Sequence, residues 1–351
     1  MSGDVIIEVQ GGVGRLQLNR PKALHALNLS MCRAMLDALA AWINDPAVGL
    51  VMIDHAEGRG FCAGGDIRML AESGAADGKE AAAFFHTEYQ LNHLLFTYPK
   101  PVIAFMDGIT MGGGVGISLP CRYRVATERT RLAMPESGIG LFPDVGGGWY
   151  LSRLPGRIGA WLALTGASLN GADCVALRVA THYIPSGKVE EAKAALLSSG
   201  REPQDSLAAW TVEASPPAIQ AQQADINRLF ASDRYEDILA ALRSDGGEWA
   251  TAQLAALAKK SNLTCKIALR QLIEAARHSD FADEMRMEYR IATRICRSAD
   301  FIEGVRALLI DKDLDPKWTP AEPEGVTESM VEEYFAPMPP GEEWQPLRIK
   351  R

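Results

Sequence analysis

Three glycine-rich segments lie in the first half of the chain, and their placement limits the fold more than any other feature. They occupy residues 61–66 (FCAGGD), 111–116 (MGGGVG) and 134–148 (MPESGIGLFPDVGGG), each after a predicted strand. None has the spacing of a P-loop or of the G-x-G-x-x-G dinucleotide motif. A glycine run that opens a helix can instead turn free backbone N–H groups toward a negatively charged oxygen. Two such loops that meet would form an oxyanion hole, whereas one isolated glycine run more often only turns the chain or lets a helix pack closely.

The residues around these segments repeat a strand–strand–helix order. A hairpin is expected at residues 5–18 and a loop at 58–66, and the order continues to about residue 188. Beyond that residue the apolar spacing is almost entirely helical. Because 351 residues exceed a typical single domain, we expect a mixed α/β core over residues 1–188 and a helical extension over 189–351, with a proline- and glutamate-rich tail from about residue 316.

Charge and cysteine content exclude several classes of partner. The chain has 44 acidic and 36 basic residues and a net charge of −8, so we expect no nucleic-acid partner. Its six cysteines are far apart, without a C-x-x-C pair, which predicts reduced thiols, no metal site and a cytoplasmic protein. We also expect no signal peptide and no membrane span, since no stretch approaches the roughly 20 apolar residues of a transmembrane helix.

Taken in order, the three glycine-rich segments resemble those of the crotonase superfamily, also called enoyl-CoA hydratase/isomerase, and the resemblance covers about residues 5–185. Members of that family bind coenzyme A thioesters and stabilise a thioester enolate or oxyanion. The resemblance implies an α/β fold of the α+β type, a crotonase-like spiral of ββα units, followed here by a helical extension that helps to close the active site. It also implies that the backbone N–H groups of Gly65 and Gly113 are the two oxyanion donors.

The same resemblance implies substrate contacts in two stretches of the chain. The segment that begins at Gly65 would line the acyl-CoA site, and the turn after Arg20 would contact the CoA moiety. Arg68 can equally be an ordinary surface cation. The substrate-binding residues implied in this way are Gly65, Asp66, Ile67, Arg68, Ala23 and Leu24.

One position departs from the hydratase pattern. A hydratase adds water to a double bond with two carboxylates, and the first belongs on the helix that the triple glycine opens, where this chain has Gly116. The acids that remain, Glu136 and Asp144, resemble those of one branch of the family, the 3-hydroxyisobutyryl-CoA hydrolases of valine catabolism. Glu88 in the run FFHTEY and the late segment 301–313 also match that branch, in which the glutamate contacts substrate.

Each of these acids has a purely structural alternative. Glu136 can cap the turn that follows it, and Asp144 can accept hydrogen bonds from the amides of residues 146–148 at a helix start. Glu88 falls in a predicted helix, where an exposed glutamate is the default. Burial and hydrogen-bond partners distinguish these interpretations.

The resemblance implies a thioester hydrolase that acts on a short 3-hydroxyacyl-CoA, with 3-hydroxyisobutyryl-CoA as the expected substrate. Glu136 would attack the carbonyl carbon or activate a water, and Asp144 would hold the substrate hydroxyl or orient Glu136. No cofactor is expected, because CoA is part of the substrate, and assembly into a homo-oligomer stays open. Two alternatives also stay open: an enoyl-CoA isomerase or hydratase that uses Glu136 as its only base, and a non-catalytic acyl-CoA-binding protein.

Overall fold

A computed structural model describes residues 3–199 and 203–349 of the chain. Within them the chain forms two β-sheets covered by helices. Three short stretches lie outside the described residues. They are residues 1–2 of the predicted core, residues 200–202 of the predicted extension and residues 350–351 of the predicted tail.

The strands divide between a larger and a smaller sheet. The larger sheet has the order β1-β2-β3-β5-β7-β10 and is parallel except for the β1–β2 hairpin. The smaller has the order β4-β6-β8-β9 and is parallel except for β8–β9. The strands are β1 (Val5–Gln10), β2 (Val13–Leu18), β3 (Leu50–His55), β4 (Gly60–Cys62), β5 (Val102–Met106), β6 (Ile109–Met111), β7 (Tyr123–Ala126), β8 (Arg131–Ala133), β9 (Leu169–Asn170) and β10 (His182–Tyr183).

Helices follow the strands of the first half and make up nearly all of the second half. Those of the first half are α1 (Leu29–Ile43), α2 (Ile67–Ala75), α3 (Lys79–Phe96), α4 (Gly113–Ser118), α5 (Gly147–Leu151), α6 (Ile158–Thr165) and α7 (Gly171–Ala176). Those of the second half are α8 (Val189–Ser199), α9 (Pro203–Ala208), α10 (Ile219–Leu229), α11 (Tyr235–Asp245), α12 (Glu248–Leu257), α13 (Asn262–Ala275), α14 (Phe281–Ile295), α15 (Ala299–Val305) and α16 (Glu328–Phe335).

Successive strands alternate between the two sheets. β3, β5 and β7 belong to the larger sheet, and the strand after each of them, β4, β6 or β8, belongs to the smaller one. A helix returns the chain before the next pair, because parallel neighbours need a crossover connection. β5 is buried along its whole length, as expected of a parallel strand covered on both faces. This arrangement confirms the mixed α/β core of ββα units that the sequence predicts.

The predicted loop at residues 58–66 differs from the structure. It contains the three-residue strand β4, and helix α2 begins directly after it. β4 pairs with β6, about 50 residues further along the chain. A three-residue strand between glycines has too few side chains to show a periodicity, so only this distant partner defines it.

The second half of the chain packs onto the first and shares its apolar core. α14 lies against α3, and α15 lies against α2. Phe281, Phe301 and Trp344 are fully buried among core side chains, and the Trp344 indole donates to the carbonyl of His86 on α3 at 3.1 Å. The domain boundaries at residues 188 and 316 stay predictions. Among the described residues, every helix is too short or too polar to cross a membrane.

Candidate active site

A cavity of about 400 Å³ lies where two glycine loops, helix α3 and the second half of the chain meet. Its wall carries three carboxylates, those of Glu88, Glu136 and Asp144, together with Gly65 and Gly113. Two larger cavities, of about 620 and 740 Å³, are lined by neither Gly65 nor Gly113. The first has no carboxylate among the described residues of its wall, and the acids of the second all belong to the helical second half of the chain. The smaller cavity is therefore the candidate active site.

The two predicted oxyanion donors lie on loops that touch each other. An added Cβ at Gly113 would lie 3.2 Å from the carbonyl carbon of Gly64, next to Gly65. Neither the Gly65 nor the Gly113 N–H donates a hydrogen bond within the part of the chain that the structure describes. Gly64 and Gly112, which precede the donors, have φ angles of +119° and +47°, a backbone region that side chains disfavour. The glycines thus turn two unpaired N–H donors into one cavity wall.

Glu136 begins a short 3₁₀ turn (Glu136–Ile139) after β8. The residue is 5% exposed, and its Oε2 has no hydrogen-bond partner among the described residues. An added Cβ at Gly112 would lie 3.0 Å from its Oε1, so the carboxyl group lies against the loop that carries Gly113. Burial raises the pKa of Glu136 well above its usual range, and the nearby Asp144 raises it further. A raised pKa favours the protonated acid, but it also makes the ionised carboxylate a stronger base and nucleophile.

The Asp144 side chain does not cap the following helix. Its Oδ2 accepts a hydrogen bond of 2.9 Å from the hydroxyl of Tyr89 on α3. The amides of Gly146 and Gly148 donate to Glu288 on α14 instead, so the capping interpretation is wrong. Burial raises the pKa of Asp144 to about 7, although the Tyr89 hydrogen bond opposes that increase.

Glu88 is buried, not exposed as an ordinary helical glutamate would be. It is 2% exposed on α3, and its Oε1 has no partner among residues 3–199 and 203–349. That oxygen lies 2.7 Å from the position of an added Cβ at Gly113, which places it beside the oxyanion donors. Burial raises the pKa of Glu88, and Asp144 contributes in the same direction. Repulsion between like charges makes it unfavourable for all three carboxyl groups of this small cavity to be ionised together.

The position that carries a carboxylate in the hydratases has no space for one here. An added Cβ at Gly116 would lie 2.5 Å from the Cβ of Val145 and 2.8 Å from the side-chain nitrogen of Asn92. Both neighbours are buried. A longer side chain at this position would displace the residue that follows Asp144.

Sequence reasoning missed two side chains that act on the acids of the cavity, Tyr89 and Lys260. Tyr89 follows Glu88 on the same helix but has no distinguishing motif. Lys260 reaches the cavity from the second half of the chain, where its Nζ lies 3.1 Å from the positions of added Cβ atoms at both Gly138 and Gly166. Its ammonium group has no hydrogen bond or ion pair among the described residues, and its charge lowers the pKa of Glu136. No local pattern pairs residue 260 with residue 136.

The remaining predicted substrate contacts lie at varying distances from the cavity. Ile67 lines the cavity together with Gly65. Asp66 does not line it; its carboxylate caps α2 and lies 3.4 Å from the Arg20 guanidinium. Arg68 is exposed.

Ala23 and Leu24 lie at a 3₁₀ turn (Pro21–Ala23) outside the cavity wall. The Leu24 carbonyl accepts a hydrogen bond from the Ala63 amide, which joins this turn to the glycine loop. Contact of these two residues with CoA stays a prediction, as does that of Asp66 and Arg68.

No group of three or more His, Cys, Asp or Glu side chains that could hold a metal occurs in the described ranges. The wall of the cavity offers two backbone amide donors, three carboxyl groups and one ammonium group. Amide donors polarise a carbonyl oxygen and stabilise the negative charge that forms on it when a nucleophile adds.

The chain belongs to the enoyl-CoA hydratase/isomerase family, whose sequence model matches residues 13–335. This membership confirms the resemblance carried by the glycine-rich segments. Among its relatives is the protein named mitochondrial 3-hydroxyisobutyryl-CoA hydrolase from Danio rerio, 44% identical over 343 residues, which are 95% of this chain and 89% of the relative. The protein of the same name from Homo sapiens is 42% identical over 341 residues, which are 95% of this chain and 88% of that protein.

Two solved structures share the fold over almost the whole chain. A crystal structure described as a carnitinyl-CoA dehydratase from Mycobacterium thermoresistibile has a TM-score of 0.93 and 42% identity, and covers 97% of this chain and 98% of that one. One described as an enoyl-CoA hydratase from Rhodobacter sphaeroides 2.4.1 has a TM-score of 0.91 and 38% identity, and covers 98% of this chain and 100% of that one. These neighbours confirm the crotonase fold with its helical second half.

The expected cytoplasmic location is wrong. The curated relatives from Danio rerio, Gallus gallus and Homo sapiens are named as mitochondrial proteins. The expectation rested on reduced cysteines, and all six are indeed free and buried. Free thiols argue against an oxidising compartment, but they do not distinguish one reducing compartment from another.

Proposed function

We propose that the chain hydrolyses the thioester bond of 3-hydroxyisobutyryl-CoA to give the free acid and CoA. One observation carries the proposal: Asp144 shares a cavity with Glu136, while the hydratase position Gly116 is packed too tightly to hold a carboxylate. The names of the relatives from Danio rerio and Homo sapiens support the same reaction. That reaction belongs to valine breakdown, so we propose this role as well.

The free amides supply the electrostatic part of the mechanism. The thioester oxygen binds between the N–H groups of Gly65 and Gly113, where the negative charge of the tetrahedral intermediate develops. The donors need no reorganisation, because both of them are unpaired in the part of the chain that the structure describes. This stabilisation acts on the transition state more than on the substrate.

Glu136 supplies the bond-forming step in one of two ways. Its carboxylate can attack the carbonyl carbon, with CoA leaving as the thiolate, to give an anhydride that water then hydrolyses. Alternatively, it takes a proton from a water molecule that adds to the same carbon. Both routes require the ionised form of Glu136.

Asp144 and Glu88 recognise the substrate hydroxyl or orient Glu136. Tyr89 occupies one oxygen of Asp144, which leaves Oδ1 to accept from the hydroxyl. Beside Gly113, Glu88 offers a buried oxygen that has no hydrogen-bond partner among the described residues. A buried acceptor that pairs only with a substrate hydroxyl disfavours esters that lack this group.

The proposal predicts a strong preference for the hydroxylated ester. We expect CoA release from 3-hydroxyisobutyryl-CoA with a kcat/KM roughly 100-fold or more above that for isobutyryl-CoA, which differs only by the hydroxyl. Thiol release with a chromogenic reagent measures both rates.

Two other results would contradict it. The neighbours described as a hydratase and a dehydratase make crotonyl-CoA the second substrate to test. Loss of enoyl absorbance without thiol release would favour a hydratase, and binding of acyl-CoA esters without turnover would favour a non-catalytic protein. Association of the chain with copies of itself and the absence of a cofactor stay predictions.

Replacing Lys260 with Met is expected to move the acidic limb of the kcat/KM profile to higher pH. Glu136 reacts in its ionised form, so turnover falls as the pH drops through its pKa. The Lys260 ammonium lowers that pKa, and its removal raises the pKa further. Lys259→Met, at the exposed neighbouring residue, is the matched control and should leave the limb unchanged. If the acidic limb lay at the same pH in both variants, Lys260 would not influence the pKa of Glu136.

A further inference from the structure

The segment of residues 143–148, which carries Asp144, is held by two helices of the second half of the chain. Glu288 on α14 accepts two backbone hydrogen bonds. The Gly146 amide donates to its Oε2 at 2.7 Å, and the Gly148 amide donates to its Oε1 at 3.2 Å. Both carboxylate oxygens are therefore used as acceptors, on the C-terminal side of Asp144.

A second side chain holds the other end of the segment. Gln271 on α13 donates through Nε2 to the carbonyl of Pro143 at 2.7 Å and to Oε1 of Glu288 at 3.0 Å. Gln271 and Glu288 are both 0% exposed. Three hydrogen bonds to the backbone, within six residues, are thus made by two fully buried side chains more than 120 residues away.

The backbone between these contacts is strained. Val145 has a φ of +54°, which is a rare conformation for a β-branched residue. Such a residue keeps an unfavourable conformation only where its surroundings impose it. The contacts from Glu288 and Gln271 lie on both sides of Val145 and meet that requirement. The strained turn directs the Asp144 carboxylate into the cavity, where Tyr89 holds it.

We propose that Glu288 and Gln271 are positioning residues for Asp144, which makes α13 and α14 part of the catalytic apparatus without contact to the substrate. The proposal rests on the proposed function, in which Asp144 acts on the substrate or on Glu136. The second half of the chain then contributes in two ways: Lys260 lines the cavity, and Glu288 and Gln271 fix the direction of a carboxylate that belongs to the first half.

The first test is Glu288→Gln. A glutamine offers one acceptor oxygen, so its amide nitrogen would face the N–H of Gly146 or of Gly148. We expect kcat/KM for 3-hydroxyisobutyryl-CoA to fall roughly 10- to 100-fold, as for a catalytic group displaced by a fraction of an ångström to about an ångström.

The matched control is Glu343→Gln. Glu343 also accepts a backbone amide, that of Met338 at 2.8 Å, and pairs with Arg290 on α14, outside the wall of the cavity. Its replacement should change kcat/KM less than about twofold. Equal losses in the Glu288 and Glu343 variants would overturn the proposal.

A double-mutant cycle separates positioning from general stability. If Glu288 acts through Asp144, then Glu288→Gln should reduce kcat/KM by less than about twofold in a chain that already carries Asp144→Asn. A purely structural role would give the same loss in both backgrounds, and that result would overturn the proposal.

Hydrogen exchange provides a readout that does not depend on the reaction. At least one of the amides of residues 146 and 148 should exchange at least about tenfold faster in Glu288→Gln than in the unmodified chain or in Glu343→Gln, because the glutamine leaves that amide without an acceptor. Unchanged protection would refute the positioning role whatever the enzyme hydrolyses. If the unmodified chain released no CoA from any ester, the proposed function would fail, and the exchange result would still decide whether Glu288 holds this segment.

Gln271→Leu is the alternative test of the positioning role if the Glu288 variant does not fold. It removes the donors to Pro143 and Glu288 but leaves both acceptor oxygens of Glu288 in place. We expect faster exchange in peptides that span residues 143–148 and a smaller loss of kcat/KM than in the Glu288 variant. Full activity together with unchanged exchange would contradict the proposal.

Discussion

Glu136→Gln is expected to abolish thioester cleavage, with kcat falling at least about 1000-fold while the fold is retained. The amide of glutamine neither attacks a carbonyl carbon nor accepts a proton from water, so both routes open to Glu136 are blocked. Retention of the fold follows from the surroundings, because Oε2 of Glu136 has no hydrogen-bond partner to lose among the described residues. Thiol release measures kcat, and circular dichroism checks the fold.

The control for this variant is Glu128→Gln. Glu128 is an exposed glutamate just before β8 that accepts a hydrogen bond from the Ser186 amide. Glu128→Gln makes the same chemical change as Glu136→Gln, but it does not alter the cavity. Turnover should therefore stay within about twofold of that of the unmodified chain. Residual kcat above a tenth of normal in the Glu136 variant would contradict its assigned role.

Gly113→Ala is expected to reduce kcat at least about 100-fold, which is the usual effect of removing one oxyanion donor. The new methyl carbon would lie 2.7 Å from Oε1 of Glu88 and 3.2 Å from the carbonyl carbon of Gly64. Since both distances are shorter than a van der Waals contact, the two loops have to separate, and the two amides no longer converge on one oxygen.

Gly187→Ala is the matched control for this loss. Gly187 is in a surface 3₁₀ turn, and no atom of the described residues lies within 4 Å of an added Cβ there. Its turnover and thermal midpoint should match those of the unmodified chain. A Gly113 variant that retains more than a tenth of normal kcat would show that its N–H does not bind the reacting oxygen.

The sequence predicts elements well where residues close together in the chain determine them. The hairpin predicted at residues 5–18 is present in the structure, where β1 and β2 pair in antiparallel fashion. β4 escapes prediction because its definition depends on β6, and α2 because it begins inside a stretch that glycines make loop-like.

The candidate site likewise has parts that nearby residues determine and parts that depend on distant ones. Its glycine loops and the acids Glu88, Glu136 and Asp144 are found from local motifs, through their resemblance to one family. The side chains that decide how these acids behave are distant in sequence: Tyr89 binds Asp144 across 55 residues, and Glu288 reaches Gly146 across 142. Contacts of this kind form by packing, and a single sequence carries no periodic signal for them.

The close packing at Gly116 has an evolutionary consequence. A carboxylate there and the present position of Asp144 exclude each other, because the space that the first would need is filled by Val145, the neighbour of the second. A lineage could therefore not acquire the second acid of a hydratase by one substitution and keep this carboxylate pair. Rebuilding the segment of residues 143–148 would have to come first or at the same time, so the change requires coordinated substitutions on two separate segments of the chain.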